Sequence, residues 1–174
     1  MEAAGQWATI RLVDGLGPDL LERLRGASGL AIDGEGRFLH RGEPILHART
    51  LEVLWGSLKP APGGRWLVTI GRESAYVAVD ETPWAVRGVR VEGVPPRRVT
   101  LLLAGGREAP LRPESLRLGA DGVLRCELPD GLARFTRAGQ LALGSQLEED
   151  PPGSGRFVLP LGGQRHPVRG AAPA

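Results

Sequence analysis

Between His47 and Val79 the apolar residues change period once, and proline and glycine mark the place. Leu51, Leu54, Trp55 and Leu58 recur at i, i+3, i+4 and i+7, the spacing of one face of a helix. Pro60, Pro62, Gly63 and Gly64 follow at once, so that helix must stop near Leu58. Trp66, Val68 and Ile70 then alternate, residues 71–74 turn, and Ala75, Val77 and Val79 alternate back. This is the pattern of two antiparallel strands with one apolar face, and the short amphipathic helix is its natural cover. The stretch 38–84 is therefore expected to organise the fold, with Trp55, Trp66 and Trp84 as core residues that join helix to ribbon.

The same punctuation runs through the whole chain. Twenty-six glycines and 15 prolines among 174 residues interrupt short apolar runs without forming a tract, which is the signature of a strand-rich protein with many turns. A strand is expected at 7–13, a helix at 18–25 behind Pro18, and a small hairpin around Asp33-Gly34-Glu35-Gly36. Extended segments are expected at 86–91, 99–103, 116–118 and 124–128, the last with the best alternation (Leu124, Cys126, Leu128). Residues 132–137 read as a helical turn leading to Leu141, Leu143 and Leu147, and 157–161 as a last strand. The acidic, Pro-Gly-rich 148–155 and everything from 163 onward read as loose. No internal repeat is evident, and 87–96 is the expected seam between two lobes.

Charge and cysteine usage narrow the function classes. Twenty-two basic against 20 acidic residues leave a net charge of +2, without the excess of a nucleic-acid binder. The one local basic cluster, Arg87, Arg90, Arg97 and Arg98, is interrupted by Glu92 and reads as a solvated strand edge. The amino-terminal residues lack the basic and apolar regions of a signal peptide, and the longest aliphatic run is Leu101-Leu102-Leu103, so neither secretion nor a membrane span is expected. The single cysteine, Cys126, cannot form an internal disulfide and lies on an alternating apolar face, which implies an inert thiol in a reducing, cytoplasmic setting.

The residues Ile32-Asp33-x-x-Gly36-Arg37-Phe38-Leu39-His40-x-Gly42-x-Pro44-Ile45, the helix at 50–58, Trp66-Leu67-Val68, and Val77-x-Val79-x-Glu81-x-Pro83-Trp84 resemble the bacterial family named domain of unknown function 1285 (DUF1285). The resemblance is traceable from about Leu30 to Leu161. It implies a β-rich α+β protein of two small lobes: an α/β roll at 30–92 and a mainly β roll at 93–162. Residues 1–29 would be an extension and 163–174 a tail. It also implies no established activity and no catalytic residue to carry over.

His40, Glu43 and His47 are metal-ligand types, but a strand end, a turn and a helix start do not fix them on one face as H-E-x-x-H does; turn and capping roles are expected, with no metal and no cofactor. Asp80 and Glu81 are adjacent, so a strand would point them to opposite faces. No glycine-rich nucleotide loop sits between a strand and a helix. The expected function is a non-enzymatic cytoplasmic regulatory or interaction module, with a protein or small-molecule ligand near His40, Glu43, Asp80 and Arg87, and with exposed strand edges that allow a homodimer. The alternative is a small metal-dependent or hydrolytic enzyme using His40, Glu43, His47 and Asp80.

Overall fold

A computed structural model describes residues 28–170; the expected strand at 7–13 and helix at 18–25 lie outside them, as do 171–174. The fold is α+β and rich in strands, as expected, with sixteen strands and two α-helices among the described residues. The described residues group into two compact units, one of 28–33 and Arg37–Glu81, the other of Gly34–Gly36 and 82–170.

In the first unit the strands are β1 (Leu30–Ile32), β2 (Phe38–His40), β3 (Glu43–Pro44), β4 (Leu58–Ala61), β5 (Arg65–Ile70) and β6 (Glu73–Val79), with helix α1 (Ala48–Ser57) between β3 and β4. The sheet order is β3-β2-β1-β6-β5-β4. Every pairing is antiparallel except β1 with β6, which run parallel. Leu30, Ile32, Phe38, Leu54, Leu58, Val68, Ala75 and Val77 form the core, and Leu51, Trp55 and Trp66 are partly buried against it. The helix thus covers the apolar side of the ribbon, as its periodicity required. The proline-rich break is itself structured: Leu58–Ala61 is an edge strand, the one sheet position where a proline's missing N–H costs little.

The second unit contains β7 (Trp84–Glu92), β8 (Arg98–Leu103), β9 (Glu108–Pro110), β10 (Arg117–Leu118), β11 (Leu124–Leu128), β12 (Gly131–Phe135), helix α2 (Arg137–Gly144), β13 (Glu148–Glu149), β14 (Phe157–Leu161), β15 (Gln164–Pro167) and β16 (Arg169–Gly170). Seven strands make one sheet in the order β16-β10-β11-β12-β7-β8-β9, and β13-β14-β15 make a second. Leu124, Cys126 and Leu128 are buried on one face of β11, as their alternation predicts. The expected seam at 87–96 falls inside this unit, because β7 is an interior strand pairing with β8 and, in parallel, with β12.

Three local readings are corrected. Residues 131–135 are a strand, not a helical turn: Ala133 and Phe135 are buried at period two, and pairing on both sides overrides the local pattern. The helix begins only after Thr136, whose hydroxyl accepts the Gly139 N–H at 3.1 Å and donates to the Val86 carbonyl at 3.0 Å, a side-chain N-cap. The 148–155 segment is held by β13 and by a 2.6 Å bond from the Gly155 N–H to the Glu149 carboxylate. The tail expected from 163 is instead paired, β15 against β14 and β16 parallel to β10. These strands are polar on both faces, so they carry no alternation to read.

The sequence shows no internal repeat, but one order of elements recurs. Hairpin, helix and three-stranded meander follow in that order twice: β1–β2, α1 and β4-β5-β6, then β11–β12, α2 and β13-β14-β15. The two series share order without sharing side chains.

Four carboxylates of the second unit are held below their usual range: Glu108 by hydrogen bonding to Arg90, Asp121 by Arg125, Asp130 by Arg107, and Glu149 by backbone N–H groups of Gly153 and Gly155. A carboxylate whose folded pKa is depressed stabilises the fold above its unfolded pKa, about 4, and loses that contribution as protonation proceeds below it. These groups are substantially solvent-exposed, so the effect is modest and screened by salt. Calorimetry from about pH 5 to about pH 2 should show the midpoint of this unit falling, more steeply at low than at high ionic strength. A flat profile at both ionic strengths excludes these contacts as acid-sensitive.

Candidate functional site

Strand β6 exchanges neighbours along its length. Residues Glu73 to Val77 pair with β5, whereas Ala78 and Val79 pair with β1. Beyond the Trp66–Val77 pair the ladder to β5 stops, and a groove of about 580 Å³ opens, lined by Ala31 and Ile32 of β1, Gly64, Arg65 and Trp66, and Tyr76 to Asp80. This size suits a small molecule. The carboxyl ends of two parallel neighbours meet here, the place in a sheet where side chains from one strand no longer fill the space beside the next.

Two residues give the groove its chemistry. Arg65 is held at both ends of its guanidinium: Nε donates to the Pro62 carbonyl at 2.9 Å, and the guanidinium carbon lies 4.7 Å from the centre of the Tyr76 ring. Such stacking stabilises a cation by about 0.5–1 kcal/mol at exposed sites and more when desolvated. Tyr76 is itself buried, and its carbonyl accepts the Ser28 hydroxyl at 2.6 Å. The result is a fixed positive charge on an aromatic plate. Asp80 supplies a carboxylate to the same lining. An arginine so held binds and orients, because its planar fork presents donors in a fixed geometry.

The residues singled out in the sequence fall into separate settings. His40 and Glu43 are brought together as cross-strand partners in the β2–β3 hairpin. Their loop is Arg41 at φ 52° and Gly42 at φ 87°, the two left-handed positions of a type I′ turn, for which glycine is the favoured second residue. Both flanking side chains are exposed, and neither lines the groove. His47 caps α1: its Nδ1 accepts the Thr50 N–H at 3.3 Å and lies 3.0 Å from the Thr50 hydroxyl. Asp80 alone of these residues lines the groove. Arg87 occupies a bulge in β7, which turns its guanidinium onto the carbonyls of Glu35 (3.2 Å) and Gly36 (2.7 Å) within the second unit; bulges commonly re-aim a side chain in this way.

Among the described residues no three His, Cys, Asp or Glu side chains are placed to hold a metal ion, and no helix is long and apolar enough to cross a membrane. The basic cluster is partly neutralised within the second unit: Arg90 makes a bidentate pair with Glu108 at 3.0 and 2.6 Å, and Arg98 lies 3.8 Å from Glu92. The Cys126 thiol is buried and free, and burial pushes its pKa up to about 12, which leaves essentially no thiolate at neutral pH. Trp84 is buried in the second unit with the Arg107 guanidinium 4.7 Å from its ring, so it does not complete the helix–ribbon core as expected.

Sequence reasoning missed Arg65 and Tyr76. The available signals were weak: an arginine directly behind Pro62-Gly63-Gly64, and the chain's one tyrosine in an otherwise aliphatic alternation.

No family model matches the chain, and no curated protein matches it. Two solved structures resemble it. A DUF1285 family protein from Silicibacter pomeroyi DSS-3 is 20% identical, over 81% of this chain and 79% of that one, with a TM-score of 0.61. A second DUF1285 family protein, from Shewanella baltica OS155, is 15% identical over 64% of this chain and 86% of that one, with a TM-score of 0.49. The first of these likenesses makes the chain DUF1285-like in fold, which is what the motif from Ile32 to Trp84 implied.

Proposed function

We propose that this protein is a non-enzymatic regulatory or interaction module that binds a small-molecule ligand in the groove beside β6. The observation that carries the reading is the preorganised guanidinium: Arg65 is fixed by the Pro62 carbonyl and the Tyr76 ring at the wall of a ligand-sized groove. A site that holds its charged group in place before binding avoids much of the ordering cost of association. His40 and Glu43 enter this reading as hairpin residues and Asp80 as part of the lining; Arg87 serves the bulge in β7.

The test is a thermal-shift screen of small organic compounds against the wild-type chain and Ala78→Trp. Ala78 is exposed and lines the groove, so tryptophan there fills the space without entering the core. A ligand present at one hundred times its Kd stabilises by about 2.7 kcal/mol, well within detection. Compounds that raise the wild-type midpoint and leave Ala78→Trp unmoved are the expected result. If nothing in the screen separates the two proteins, the groove is not a ligand site.

A further inference from the structure

We propose that the ligand of this groove is a monoanionic organic carboxylate with an apolar body, a choice of ligand class that rests on the binding reading above. The charge comes first. Among the described residues Arg65 makes no ion pair, and its polar contacts are a backbone carbonyl at Nε and an aromatic face. Its Nη1 is buried with no acceptor among the described residues. A guanidinium has five N–H donors in a planar fork, and a carboxylate is the planar acceptor that takes two of them at once. With Nε spent on Pro62, the two Nη nitrogens are the donors left for such a group.

Arg65 sets the sign of the ligand's charge, and Asp80 limits its multiplicity. Asp80 places a carboxylate in the same groove, and a like charge there disfavours a dianion more than a monoanion. Phosphate esters, with a second ionisation near neutral pH, are therefore the poorer fit. The body of the ligand meets Ala31, Ala78, Val79 and Trp66, side chains that reward alkyl or aryl groups.

The experiment is a calorimetric titration of the full chain with benzoate and hexanoate, their neutral isosteres benzamide and hexanamide, and inorganic phosphate, repeated with Arg65→Gln and Ala78→Trp. Carboxylates should bind wild type at least tenfold more tightly than the matched amides and than phosphate. Arg65→Gln should remove that preference. Comparing acid with amide on the wild-type chain keeps the test valid even if Arg65→Gln folds poorly. Amides binding as tightly as carboxylates, or phosphate binding more tightly, overturns the ligand class and leaves the groove as a site. Equal carboxylate binding by wild type and Ala78→Trp overturns the site itself.

Discussion

Replacing Gly139 with alanine should lower the thermal midpoint of the second unit by roughly 10 °C, taking about 3 kcal/mol for an overpacked contact and about 2–4 °C per kcal/mol for a chain of this size. The new Cβ would overlap the Val86 carbonyl oxygen and lie 3.0 Å from its carbon. That carbonyl cannot retreat cheaply, since it accepts both the Thr136 N–H and the Thr136 hydroxyl at 3.0 Å. Helix α2 therefore approaches β7 as closely as it does only because position 139 has no side chain. Gly144→Ala is the matched control: it lies in the same helix and its Cβ would meet nothing within 4 Å. Differential scanning calorimetry of both variants decides the matter, and equal midpoints would show that close approach is not the cause.

In the first unit the largest loss is expected at Phe38. Its side chain is 1% exposed, and its ring meets Trp55 edge to face at 4.8 Å. Truncation to alanine removes both the burial and the aromatic pair, a cost of about 3–5 kcal/mol. Trp66→Ala should cost less, because Trp66 is only partly buried. Chemical denaturation followed by far-UV circular dichroism gives the ranking. A Phe38→Ala loss no larger than that of Trp66→Ala would mean that β2 does not anchor this core.

What could be read from the sequence followed the strength of side-chain periodicity. Helix α1 was legible because Leu51, Leu54, Trp55 and Leu58 show one period and prolines end it. Strand β11 was legible because Leu124, Cys126 and Leu128 alternate cleanly. Strand β12 was not, since Leu132, Ala133 and Phe135 satisfy either period and only pairing with β7 and β11 decides between them. The paired segment from Gln164 to Gly170 was missed for the opposite reason: it lies at sheet edges, exposed on both faces, and backbone hydrogen bonds place it. Of the candidate site, Asp80 was visible only as one of two adjacent carboxylates, with Glu81. Arg65 and Tyr76 were invisible, because the groove exists only where β6 leaves β5 for β1, a fact of topology that no local pattern encodes. His47 was assigned a turn or capping role from its position at the helix start, and it caps α1.

The parallel pairings bear on how such a chain is made. β1 with β6, β12 with β7 and β16 with β10 each join residues about fifty positions apart. Each requires a long loop to close before any of its bonds can form, which slows folding relative to hairpins. During synthesis the seven-stranded sheet stays open along β10 until Arg169 and Gly170 have left the ribosome, so until then the second unit carries an unprotected strand edge.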